Sequence, residues 1–174
     1  GRLTPQKNHL TAIAALALLP AAHLVIAGEG EDRAQLLAAA ASAGVANRLH
    51  LIGDRPRAAV ASLLAAGDIY IFPSIWETFG LAVVEAGMAG LPIVAADLPV
   101  LREVLQPAVE GGMARFHPPK DAVALASAIA AILADYPDTV RRMASAEAMI
   151  ERHGVPPMLD AYERLLDGAS RAKR

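Results

Sequence analysis

The chain has 174 residues, enough for one compact domain with its own core and too few for two of ordinary size. Sixteen Lys and Arg against eighteen Asp and Glu leave a net charge of −2, which excludes the polycationic surface that displaces counterions from a nucleic acid. There is no cysteine, which excludes disulfides and thiolate metal sites and sets a cytoplasmic location as the expectation.

Residues 8–28 contain no Asp, Glu, Lys or Arg and are long enough to cross a bilayer, but Pro20 and His23 interrupt them. The spacing instead predicts a helix over 8–19, with Leu10, Ile13, Ala14 and Ala17 on one face and Pro20 as its stop, and then a strand over 22–27. Past the turn Gly28-Glu29-Gly30, a helix over 32–43 ends at Gly44, and a strand over 48–52 ends at Gly53. A helix over 57–66 turns Val60, Leu63 and Leu64 inward; the strand over 69–72 is wholly apolar or aromatic and is expected to be central. Next come a helix over 80–89, a strand over 92–95, a short helix over 98–105 and a strand over 113–116. A helix over 121–134 carries Leu125, Ile129, Ile132 and Leu133 on one stripe; two further helices, interrupted by Pro137 and by Pro156-Pro157, lead to a solvated basic tail, Arg171 to Arg174. Helix and short apolar run alternate throughout, so the fold class is α/β, one domain over 1–174, with a parallel sheet and helices on both faces.

The five histidines, His9, His23, His50, His117 and His153, show no metal-ligand spacing, and no metal is expected. The helix over 80–89 is apolar all round except for Glu85, whose neighbours three and four residues away are Leu81, Ala82, Met88 and Ala89. Three readings are open for Glu85: it faces solvent, it finds a tertiary ion pair, or it faces a ligand, which is the reading favoured by the cost of an unpaired carboxylate among apolar groups. The segment 73–80 joins the end of a strand to this helix, the place where open parallel sheets bind ligands. The first free amides, predicted as Phe79, Gly80 and Leu81 with Thr78 as the cap, then favour an anion. Ser74 to Glu77 also matches a capping box, which would use Glu77 up at the helix start. Gly28-Glu29-Gly30 opens like a dinucleotide fingerprint, but Arg33 stands where the third glycine belongs, which points to a plain strand-to-helix turn.

Glu77 and Glu85, with seven residues between them and Phe79-Gly80-Leu81 inside the interval, resemble the E-x7-E motif of retaining family-4-type glycosyltransferases, whose GT-B architecture has two Rossmann domains. Further blocks resemble that family in order: Gly1-Arg2-Leu3 with Lys7-Asn8, Ile26-Ala27-Gly28-Glu29-Gly30, Asp68 to Ser74, and Gly90-Leu91-Pro92-Ile93-Val94. The resemblance covers nearly the whole chain. It implies a Rossmann-like domain, the C-terminal half of a GT-B fold, that binds a nucleoside-diphosphate sugar without a required metal or other cofactor. Arg2 and Lys7 would then hold the diphosphate, Glu77 would lie beside the transferred sugar, Glu85 would bind the ribose hydroxyls, and the base would sit by Gly53, Asp54 and Arg55. The same resemblance places a strand before Gly1-Arg2-Leu3 in a sheet ordered 3-2-1-4-5-6, so the first strand is expected to be truncated here. The acceptor-binding N-terminal domain is expected to lie outside this chain, with membrane contact only indirect, through a lipid-linked acceptor. Rival readings are a non-catalytic nucleotide-binding module and another GT-B enzyme such as a sugar-nucleotide epimerase or a phosphorylase.

Overall fold

The computed structural model describes residues 1–160, with the side chain of Thr139 excepted; the basic tail expected at 171–174 lies outside that range. Its strands are β1 (Leu24–Ala27), β2 (Leu49–Gly53), β3 (Tyr70–Phe72), β4 (Ile93–Ala96) and β5 (Ala114–His117). Its helices are α1 (His9–Ala17), α2 (Arg33–Ser42), α3 (Arg57–Ala66), α4 (Leu81–Met88), α5 (Pro99–Val104), α6 (Gln106–Glu110), α7 (Ala122–Ala134) and α8 (Thr139–His153). The predicted elements are all present within a few residues. The helix expected over 98–105 is followed by a separate one, α6, which starts with Pro107 in its first turn. The second break expected at Pro156-Pro157 falls instead at Gly154, and residues 155–160 are helical.

The strands form two parallel sheets, β1-β2 and β3-β4-β5, where one was expected. β4, completely buried along its length, is the central strand of the second sheet; β3, predicted to be central, is its edge. The neighbours β2-β1 and β3-β4-β5 are those on either side of strand 1 in a 3-2-1-4-5-6 order, with a gap between them among the described residues. Residues 1–8 span the carboxyl end of that gap. The amino group of Gly1 donates to Ala27 O at 2.6 Å and Leu3 N to Glu29 O at 2.9 Å, while on the other side Gln6 O accepts from Ile75 N at 2.9 Å. This contact accounts for the glycines of Gly28-Glu29-Gly30: a Cβ would come within 2.0 Å of Gly1 O at Gly28 and within 2.2 Å of Leu3 O at Gly30.

Period-two alternation sorts the strand residues between two helical layers. Phe72, Ile93, Ala95 and Ala114 pack with Val83 and Val84 of α4, Leu101 of α5, Ala108 of α6 and Met149 of α8. Ile69, Ile71 and Val94 face the other way, onto Ala12 and Ala15 of α1 and Leu125, Ile129 and Ile132 of α7. α1 also turns Ile13 and Leu16 toward Ile26 and Leu49 of the first sheet, so one helix closes both sheets on that side. No described helix is long and apolar enough to cross a membrane; the uncharged run from residue 8 is α1, a turn and β1.

Candidate functional site

The site is built where residues 5–8 meet the chain leaving β3. Pro5–Lys7 form a 3-10 turn, and Asn8, at a left-handed φ of 51°, redirects the chain into α1. Its amide side chain donates to Pro73 O at 3.1 Å. Gln6 donates from Nε2 to Trp76 O at 3.1 Å and to Glu77 Oε1 at 3.3 Å, and Lys7 Nζ pairs with the same carboxylate. The Lys7 ammonium also stands 4.9 Å from the centre of the Phe72 ring. Glu77 thus has a side chain only 9% exposed, with a cation and an amide on one oxygen. It does not close a capping box: no side chain caps α4, whose N-cap is Gly80 rather than Thr78.

Gly80 sits at φ 91°, and a Cβ there would lie 2.9 Å from Leu101 Cδ2, so both conformation and packing call for glycine. Leu81 is the first residue of α4, and Phe79 and Gly80 precede the helix. Among the described residues, the amides of Phe79, Gly80, Leu81 and Ala82 donate to no protein acceptor. They border a cleft of about 320 Å³ lined by Lys7, Phe72, Glu77 and residues 78–82. A positive helix end, free N–H groups and an ammonium therefore converge on one concavity beside the Glu77 carboxylate.

Glu85 departs from the expectation of a buried carboxylate. With Leu81 and Ala89 it forms an exposed stripe along α4, which is thus buried on its other faces only. Its partner is tertiary: Arg57 Nη2, at the start of α3, lies 3.8 Å from Glu85 Oε1. Burial first, then the charges of Glu85 and Glu77, push the Tyr70 hydroxyl up. Arg2 is exposed and does not line the cleft; among the described residues its side chain makes no hydrogen bond or ion pair. Gly53, Asp54 and Arg55 close β2 beside Gly28, with Gly28 N donating to Gly53 O at 2.8 Å, and Asp54 and Arg55 are exposed. The structure thus gathers Lys7, Glu77, Phe79, Gly80 and Leu81 in one cleft and leaves Arg2, Glu85 and 53–55 outside its lining. Gln6, Tyr70, Phe72 and Arg57 were missed by the sequence reading; only Phe72 and Tyr70 carried a signal, since both share one face of a strand leading to the motif.

Two histidines do come together: His23 Nδ1 and His50 Nε2 are 3.1 Å apart on the surface. Among the described residues, no group of three or more His, Asp or Glu is placed to hold a metal.

Residues 1–150 match the family model described as glycosyl transferases group 1. The chain belongs to this family. Among relatives, the D-inositol 3-phosphate glycosyltransferase of Mycolicibacterium gilvum is 33% identical over 173 residues, covering 95% of this chain and 38% of the relative. The chain thus spans about two fifths of the length of that relative. Among group 1 and related structures, HepE of Anabaena in complex with UDP-glucose superposes with a TM-score of 0.84 at 27% identity, over 97% of this chain and 47% of that one. The C-terminal domain of a group 1 family protein (LpcC) from Francisella tularensis shares the fold, with a TM-score of 0.70 over 88% of this chain and 82% of that one, at 22% identity. The parallel sheets with helices on both faces are those of GT-B C-terminal domains.

Proposed function

We propose that this chain is the donor-binding part of a retaining glycosyltransferase that takes a sugar from a nucleoside-diphosphate sugar. The observation that carries the reading is the cleft at the carboxyl end of β3, where Lys7 and the amides of 79–82, free among the described residues, meet a Glu77 whose one ion-pair partner among those residues is Lys7. Such a crevice at a break in strand order is where open parallel sheets bind nucleotides. HepE, which binds UDP-glucose in its solved complex, supports the same class of ligand here.

In this reading the diphosphate takes the amides at the start of α4 and draws Lys7 toward its charge, with Arg2 as a second cation. Lys7 stabilises the negative charge that grows on the departing diphosphate, which makes a metal unnecessary. Glu77, released from Lys7, faces the sugar and offsets positive charge at the anomeric carbon. Glu85 accepts from the ribose hydroxyls, and the backbone of Gly53, Asp54 and Arg55 meets the base. The acceptor is bound by the part of the enzyme outside these residues, in the cytoplasm, and membrane contact comes only through a lipid-linked acceptor.

Calorimetric titration of the chain with UDP, GDP and ADP in the presence of a chelator tests this. One of the three binds, and Lys7→Met weakens it about tenfold or more, the loss expected for a charge-assisted phosphate contact. A folded chain that binds none of them, or a Lys7→Met variant that binds as the parent does, overturns the reading.

A further inference from the structure

Glu85 has no partner on its own helix; the structure supplies one from a different connection. Arg57 opens α3, which links the two sheets, and it follows Gly53, Asp54 and Arg55 after a single proline. Its guanidinium reaches across to the second turn of α4, with Nη2 3.8 Å from Glu85 Oε1. The side chain is 96% exposed and makes no hydrogen bond among the described residues, so most of its five donors point to solvent. A pair this exposed adds little to folding. What it does is geometric: it joins the turn after β2 to Glu85, the two segments that the donor reading assigns to base and ribose.

We propose that Arg57 is a positioning residue of the donor site, holding one oxygen of Glu85 so that the carboxylate presents its other oxygen to the ribose hydroxyls of a bound nucleoside diphosphate. The proposal rests on the donor reading above and adds to it a residue that the E-x7-E motif does not contain. Arg57 acts here through Glu85, and the phosphates are left to Lys7 and the α4 amides.

The test compares the best-bound of UDP, GDP and ADP with its 2′,3′-dideoxy counterpart, which lacks both ribose hydroxyls, in calorimetric titrations of the chain, its Arg57→Gln and Arg57→Lys variants, and Glu85→Gln. The parent chain prefers the ribonucleotide. Arg57→Gln loses about two- to fivefold in ribonucleotide affinity, the range of one exposed charge contact, with the dideoxynucleotide unchanged, so the ribose preference shrinks toward that of Glu85→Gln. Arg57→Lys, which keeps the charge without the fork, retains part of the preference. Thermal melting is unchanged in both variants, since the pair is at the surface. Equal losses for ribo- and dideoxynucleotide mean that Arg57 meets the phosphates and overturn the proposal, as does an unchanged preference in Arg57→Gln. A parent chain that binds the nucleotide but does not prefer ribose removes Glu85 from the ribose, and the donor reading fails at that residue together with Arg57.

Discussion

Lys7 and Glu77 form the least exposed ion pair in the described structure, with side chains 21% and 9% exposed, and each is the other's only charged contact. Removing one partner strands the other. Glu77→Ala is expected to lower the stability of the free chain by about 1–3 kcal/mol in urea unfolding, and the double variant Lys7→Met, Glu77→Leu to regain most of that loss, because two neutral groups leave nothing uncompensated. Histidine sets the acid limit. Burial holds His9 down at about 4, with the nearby amino terminus adding to the effect, and burial likewise lowers His117, whose Nδ1 donates to Pro118 O at 2.8 Å. Below the unfolded value of about 6.5 the unfolded chain binds more protons at these sites than the folded one. Stability is therefore full above that value, falls as pH drops through it, and for His9 levels off below about 4. The urea midpoint is expected to fall between about pH 7.5 and about pH 5, and His117→Asn to show a shallower fall; a flat profile in the parent contradicts this. At this scale the sequence showed Lys7 and Glu77 through their motif, but the partner of Glu85 was hidden, because an ion pair between α3 and α4 leaves no periodic trace.

α4 begins after a glycine that no other residue replaces without strain, and the loop after α1 is held by an arginine. Gly80→Ala would force a Cβ into a left-handed residue 2.9 Å from Leu101, and is expected to cost about 1–3 kcal/mol and to weaken nucleotide binding through the displaced amides. Arg48 Nη1 donates to Leu16 O at 3.1 Å, Leu19 O at 2.7 Å and Ala22 O at 2.9 Å, tying the last turn of α1 to the loop that follows it. Arg48→Met is expected to lower the thermal midpoint, by about 1–3 kcal/mol of stability, while leaving nucleotide affinity intact, since it lies far from the cleft lining. Pro20 was read as the stop of this helix, which ends at Ala17; the contacts of Arg48, contributed from just before β2, come from outside the local sequence and left no signal there. The start of α4 was placed one residue early for a related cause. A polar residue at the cap was assumed, whereas a left-handed Gly80 performs the turn and the side chains of Thr78 and Glu77 are left for the cleft.

The alternation of helix and strand was enough to read an α/β class and the parallel direction of every strand. It could not show which strand is central. An all-apolar run signals packing on two faces, and β3 has that packing from α4 on one side and α1 and α7 on the other, while Gln6 and Asn8 meet the chain just after it, at Ile75 and Pro73. The gap between β1 and β3 is what brings residues 1–8 over the site, and it makes the cleft a property of the whole molecule. The central claim is that one ligand runs along this edge, with its sugar at Glu77 and its ribose at Glu85. The most direct measurement is a comparison of UDP-glucose with UDP by calorimetry on the parent chain, Glu77→Gln and Glu85→Gln. The account predicts that Glu85→Gln weakens both ligands alike, and that Glu77→Gln removes only the extra affinity contributed by the sugar. Loss of UDP binding in Glu77→Gln, or a sugar contribution untouched by it, would contradict that arrangement.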